Sequence, residues 1–298
     1  MNLTISGFST ALYATWFFVD DLALLLDCGD GASAGLLQKS RKVRTIAISH
    51  SDRDHLNGLP QFLQLNAREK GLPVVLYPRD CGSFGILRDF LHEFDRRGLK
   101  ASEGNRWEGI ASAVTWPLGK AKAVLEALPN RHIECEPGLI KSLSYRIFAD
   151  HHRLRSEFAG RGEAEIAAAR KRYGDSAVMI SDRDTLLTYS ADSPIESPDF
   201  WGKTRILIHE STFLHKEDAV SHNQEMRHSA LNQVLPMACE VVSEALILSH
   251  FSTRYSNRRI LSEIRRECRR LRPRFPVFAM LPGTIHRDIL NERPAWEG

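Results

Sequence analysis

Short apolar runs separated by polar loops dominate this chain from its first residues. Residues 3–5, 15–19, 23–26 and 43–49 are brief, rich in β-branched or aromatic side chains, and bounded by Gly, Ser or Asp. That pattern predicts strands, and 74–77 continues it. A helix is predicted over 83–97, whereas Trp and Pro are scattered without a period between 98 and 138, a stretch that reads as an insertion. Order returns at 144–149, a predicted strand ending at His151 and His152. Further strands are predicted over 178–181, 185–190, 206–208 and 246–249. Apolar positions recurring at three and four residues predict helices over 163–173, 228–243 and 257–271. Short strands, each leading into a polar or His-bearing loop and then a helix, point to a layered α/β architecture with its site at strand ends. With no repeat, low-complexity tract or linker, residues 1–298 read as a single domain.

Composition narrows this picture only a little. An apolar fraction of 43% in 298 residues is enough for a large core, and a net charge of +3 means that any acidic partner must be met by a local patch. The five cysteines, Cys28, Cys81, Cys135, Cys239 and Cys268, are scattered without a CxxC pair. They argue against a disulfide framework or a zinc ribbon and for a reducing compartment. No secretory signal or spanning segment is evident: the apolar stretch 14–26 is split by Asp20 and Asp21. The expectation is a soluble, cytoplasmic protein.

The chemistry is concentrated after the predicted strand 43–49, in His50-Ser51-Asp52-Arg53-Asp54-His55. A strand holds its last residue rigidly. The loop beyond can therefore turn His50 and Asp52 toward one point and Asp54 and His55 toward a neighbouring one, a two-metal arrangement. A hydrogen-bonded turn with helix-capping carboxylates is the plainer alternative. Further His and Asp residues end other strands: Asp27-Cys28-Gly29-Asp30-Gly31, Ala191-Asp192-Ser193, His209-Glu210-Ser211-Thr212, and Ser249-His250-Phe251-Ser252, while His228-Ser229 opens a helix.

In this order, these motifs resemble the metallo-β-lactamase superfamily and, within it, the ribonuclease Z-like branch. HSDRDH stands where the family has HxHxDH, and the Asp192, Glu210, His228 and His250 motifs look like the family's bridging aspartate, HEAT, HST and terminal-ligand motifs. The resemblance implies a four-layer αββα metallo-β-lactamase sandwich holding two divalent ions, Zn²⁺ or Mn²⁺. One ion would be held by His50, Asp52, His152 (or His151) and Asp192, the other by Asp54, His55, Asp192 and His250. Asp192 would bridge them. Catalysis would rest on Asp54, Glu210 and His228, with a metal-bridging hydroxide attacking a phosphodiester and imidazole acting as general acid. A homodimer is implied as well.

Three features depart from that pattern or add to it. Asp52 replaces a family His, so Asp52, Asp54, Asp192 and a hydroxide sum to −4 against +4 from two divalent ions, which favours harder ions such as Mn²⁺ over Zn²⁺. Between His152 and Asp192 the stretch is short, and no long exosite arm for gripping tRNA is expected. Finally, Arg258, Arg259, Arg265, Arg266, Arg269, Arg270, Arg272 and Arg274 crowd one predicted helix and its end. They form either a track for a phosphate backbone or a solvated face balanced by Glu263 and Glu267.

The resulting expectation is a metal-dependent phosphodiesterase, a ribonuclease Z-like nuclease acting on a nucleic acid or nucleotide substrate, with no membrane partner. A cyclic-nucleotide phosphodiesterase is the alternative within phosphoryl chemistry. A lactone or ester hydrolase and a catalytically degenerate binding protein stand as readings from other classes.

Overall fold

The computed structural model describes residues 3–66, 73–95, 106–119, 122–224 and 226–298, with the side chains of 150–152 and 181–182 outside that description. Two sheets carry the molecule. The first runs in order through β1 (Ile5–Thr10), β2 (Ala14–Val19), β3 (Leu24–Leu26), β4 (Thr45–Ala47), β5 (Val74–Pro78) and β6 (Trp107–Ile110). The second contains β7 (Thr115–Leu118), β8 (Ala123–Pro129), β9 (Leu143–Leu154), β10 (Met179–Tyr189), β11 (Thr204–Glu210), β12 (Val242–Ser249) and β13 (Val277–Ala279), ordered from β13 down to β7.

The apolar faces explain the layering. Ile5, Phe17, Leu24 and Leu26 of the first sheet meet Leu125, Ile147, Leu187 and Ile208 of the second in one buried cluster. Each such side chain contributes about 1.5–3 kcal/mol when fully buried. β2 is buried at every position, so its other face also needs cover, and Trp16 and Phe18 receive it from Ala32, Leu36, Phe62 and Phe84 on the helices of that side. Leu207, Leu246 and Leu248 are covered by Leu231, Val234, Ile260 and Ile264 of the helices Leu231–Val241 and Asn257–Leu271. The result is the expected four-layer αββα sandwich.

The parallel strands β3 to β6 and β10 to β13 end toward one rim. Loops leaving β3, β4, β8, β10, β11 and β12 gather there.

Two parts of the chain differ from the expectations. Of the stretch read as an insertion, residues 98–105 and 120–121 lie outside the described residues, while 107–110 completes the first sheet and 115–118 and 123–129 are β7 and β8 of the second. This stretch is the crossover between the sheets. β6 and β7 are edge strands with half-exposed side chains and a Gly or Pro, so they lack the apolar alternation of a buried strand.

The second difference is an arm. The strands predicted over 178–181 and 185–190 are one strand, β10, with a register shift between Thr185 and Leu187. Its pairing with β9 continues from Asp150↔Arg183 to Leu154↔Met179, beyond the last β8 partner at Ala149 and the first β11 partner at Leu187. This two-stranded ribbon is capped by the helices Glu163–Tyr173 and Asp175–Val178, the first of which buries no residue. The short spacing predicts no long exosite arm, and the ribbon is a short one. A paired ribbon advances about 3.3 Å per residue, so few residues suffice to build one.

Among the described residues no helix is long and apolar enough to cross a membrane. All five cysteines are free.

Candidate active site and metal centre

The site is assembled around one buried carboxylate, Asp27, just beyond β3. Ser49 N–H and Oγ–H donate to it at 2.7 and 2.9 Å, His55 Nδ1–H at 2.7 Å and Tyr189 O–H at 2.6 Å. A carboxylate only accepts, so His55 donates from Nδ1 and its Nε2 is the atom left to face a cation. Since the Ser49 hydroxyl hydrogen goes to Asp27, its oxygen accepts from His50 Nδ1 at 2.8 Å. Asp27 thereby orients two imidazoles.

Glu210 does the same from the second sheet. It is fully buried at the end of β11, and the Thr212 hydroxyl donates to it at 2.7 Å while accepting from His250 Nδ1 at 2.9 Å. His228 Nδ1 donates directly to Glu210 at 3.0 Å. His132 Nδ1 donates to the Arg227 carbonyl at 2.9 Å. His50, His55, His132 and His250 are therefore all fixed with Nδ1–H outward and a bare Nε2 inward, the arrangement that second-layer hydrogen bonds give to metal-binding histidines.

The inward atoms converge. His55 Nε2 lies 3.3 Å from Asp192 and 3.7 Å from Asp54, and His250 Nε2 lies 3.4 and 3.3 Å from the same two carboxylates. Asp52 sits 3.6 Å from His50 Nε2 and 3.5 Å from His132 Nε2, and His50 Nε2 is 3.9 Å from Asp192. Two groups result, Asp54-His55-Asp192-His250 and His50-Asp52-His132, with Asp192 close to both.

Several observations fit divalent cations. His50 Nε2 and Asp192 Oδ1 are buried without a hydrogen-bond partner, and the bare Nε2 atoms of His55 and His250 face each other at 3.4 Å. Such lone-pair crowding is unfavourable unless a cation lies among the donors.

The backbone is forced into shape here. Asp27, Ala191 and His250 adopt left-handed φ values of 55°, 53° and 58°, each just past the end of a strand. Such conformations cost free energy in non-glycine residues and collect at functional sites. Gly29 and Gly58 permit the close approach of the turns: a Cβ on Gly29 would meet the Asp54 carbonyl oxygen at 2.2 Å, and one on Gly58 the Gly29 carbonyl oxygen at 2.1 Å.

Most residues singled out in the sequence meet at this rim, and one does not join the described cluster. The His152 side chain lies outside the described residues, as does that of His151. Their backbones pair with Ser181 and Asp182 in the arm. His152 is thus about 23 Å along β9 from Tyr145, taking the usual rise per residue, whereas the partner of Tyr145, Tyr189, leads directly into the Asp192 loop. His132 stands in the third-histidine place instead. Sequence reasoning missed it inside the aperiodic stretch, although one signal was available. His132 falls three residues past the end of β8, as His50 does past β4 and Asp192 past β10.

Other residues are structural. His209 packs against Trp201 and donates to the Glu210 carbonyl, and His286 pairs with Glu292. Arg53 is exposed.

The fold is that of metallo-β-lactamase fold proteins, and the curated relatives that the chain matches are tRNase Z and ribonuclease Z proteins. No family model matches the chain. Among curated relatives, the chloroplastic tRNase Z TRZ2 of Arabidopsis thaliana is 25% identical, aligned over 85% of this chain and 69% of its own length. tRNase Z TRZ1 of the same plant is 24% identical over 86% of this chain and 88% of its own. Among solved structures, the metallo-β-lactamase fold protein YhfI of Bacillus subtilis superposes with a TM-score of 0.58 at 16% identity, covering 94% of this chain and 98% of its own. Human tRNase Z, short form, gives 0.55 at 19% identity, covering 86% and 94%.

Proposed function

We propose that this chain is a metal-dependent phosphodiesterase that cleaves nucleic acid, a nuclease of the ribonuclease Z kind. One observation carries the reading: four imidazoles with bare Nε2 atoms and three carboxylates converge at one rim beside the Glu210–His228 pair. We assign His50, Asp52, His132 and Asp192 to one cation and Asp54, His55, Asp192 and His250 to a second. His132 thus takes the place that the resemblance gave to His152. Two divalent cations bound there would supply an activated water and neutralise the charge of a phosphodiester.

The protein's own groups set up the remaining step. Burial opposes charging of His228, but the Glu210 carboxylate outweighs it and holds the imidazole up at about 9. At neutral pH His228 is then an imidazolium, with Nδ1–H spent on Glu210 and Nε2–H left to give to a leaving oxygen. Glu210 also fixes His250 through Thr212, so one carboxylate aligns the proton donor with the metal centre. An ester or lactone hydrolase has less need of such a donor. The arm removes the reason for preferring a small cyclic nucleotide, since it offers a grip on a substrate larger than the reacting diester.

Asp52 bears on the choice of metal. Its side chain is 51% exposed while that of His50 is fully buried, so the carboxylate forms the outer wall of its half of the site. A third carboxylate among the donors favours manganese over zinc. Retention of two zinc ions through purification, with no activation by manganese, would overturn that preference.

Hydrolysis of bis(p-nitrophenyl) phosphate with Mn²⁺ and Zn²⁺ tests the mechanism. Asp54→Ala is expected to abolish it and His228→Ala to lower it by about 10²–10⁴-fold, the usual worth of a general acid. Activity untouched by Asp54→Ala rejects the proposal. Competition by RNA, DNA and cyclic nucleotides then selects the substrate.

A further inference from the structure

The arginine-rich helix Asn257–Leu271 is sorted into two different rows. Ile260, Ile264, Glu267 and Cys268 face inward, and every arginine of the helix is exposed. Arg259, Arg266 and Arg270 form one row, which is largely engaged. Arg266 pairs with Glu263 at 2.7 Å, Arg270 pairs with Glu267 at 2.8 Å, and Arg259 lies over the Tyr255 ring at 5.1 Å. Arg258, Arg265 and Arg269 form the other. Among the described residues, none of these three has an ion pair, and the exposed Arg272 and Arg274 extend the same basic strip past the helix end without one.

A face kept only for solubility needs neither this segregation nor this chemistry. All eight cations from 257 to 274 are arginine and none is lysine. Arginine is the residue whose planar fork matches phosphate oxygens in pairs. The position suits a substrate track as well. Five residues separate His250 from Ser256, whose hydroxyl caps the helix. Between them the Arg254 guanidinium lies 5.2 Å over the Phe213 ring, itself 6.5 Å from the His228 ring. The helix therefore begins beside the proton donor and runs about 22 Å at the usual rise per residue.

We infer that the row Arg258-Arg265-Arg269, continued by Arg272 and Arg274, is a docking track for the phosphate backbone of the nucleic acid whose scissile diester enters the metal centre. This rests on the nuclease reading. Charge complementarity identifies the occupant: the unpaired row meets a polyanion without first breaking internal ion pairs, whereas the second row would have to give up Glu263 and Glu267.

The test measures binding apart from cleavage. Anisotropy of an end-labelled RNA hairpin with a single-stranded 3′ tail is titrated with metal-loaded His228→Ala protein over a series of salt concentrations. Adding Arg258→Gln, Arg265→Gln and Arg269→Gln together is expected to weaken binding and to lower the slope of log K against log salt by about one per arginine removed. The same three positions changed to Lys keep the charge and are expected to restore most of the slope, which separates charge from folding. In the otherwise unsubstituted enzyme, the three Gln substitutions are expected to leave bis(p-nitrophenyl) phosphate hydrolysis unchanged. An unaltered RNA affinity and slope overturns the proposal. So does an equal loss in a Lys39→Gln, Arg41→Gln, Arg293→Gln control, or a loss confined to binding of phosphatidylserine vesicles. If the unsubstituted metal-loaded chain cleaves neither RNA nor the small diester, the nuclease reading fails, and the binding comparison still reports on the track.

Discussion

At the scale of single residues, the site depends on two buried carboxylates that touch no substrate. Asp27 and Glu210 between them fix the protons of His50, His55, His228 and His250, directly or through Ser49 and Thr212. Loss of such an orienting partner typically costs 10–100-fold in metal affinity or activity. The placement of His132 makes a sharper prediction. His132→Ala is expected to lower bound metal from two ions per chain to one, while His152→Ala leaves two, as measured by elemental analysis after manganese loading. The reverse result returns the ligand to His152. The metal loop was legible because His50 to His55 are contiguous, and the Glu210–His228 pair because each residue sits in a recognisable motif. His132 was not, because it follows a strand, β8, that buries only one face and lies in the stretch where Trp and Pro break the period.

At the scale of elements, strands buried on both faces announced themselves and edge strands did not. β2, with every residue buried, was predicted within one residue of its bounds, and the helix Asn257–Leu271 at both ends. β6 and β7 were not read as strands at all. The arm shows a related effect. The exposed continuation of β9 and β10 is held by cross-strand pairing rather than by a core, so hydrophobic pattern reported neither its length nor its direction. Replacing residues 155–178 with a short Asn-Gly turn closes the same ribbon. It is expected to reduce RNA cleavage strongly while sparing bis(p-nitrophenyl) phosphate. Equal loss on both substrates would show that the arm supports the fold instead of gripping substrate.

At the scale of the whole molecule, the proposed metal centre draws on both halves of the sandwich. His50, Asp52, Asp54 and His55 leave the first sheet, whereas His132, Asp192 and His250 leave the second. Cations held by both sets bind the folded state and not the unfolded chain, and therefore stabilise it by mass action. Chelation is expected to lower the thermal midpoint, and restored manganese to raise it again. Asp192→Asn, which weakens the shared carboxylate, is expected to shrink that increment. An identical midpoint with and without chelator would mean that the centre contributes nothing to stability.

The sequence by itself determined the layered architecture and pointed to the His and Asp run at 50–55 and to Glu210 and His228, because these depend on local periodicity and on residues whose chemistry is narrow. Only the tertiary structure decided that His132 lies beside His50 and Asp52, that the stretch 107–129 bridges the sheets, and that an arm stands on the second. Those outcomes depend on strand register and on the pairing of distant backbones, quantities that no local pattern of apolar and polar residues encodes.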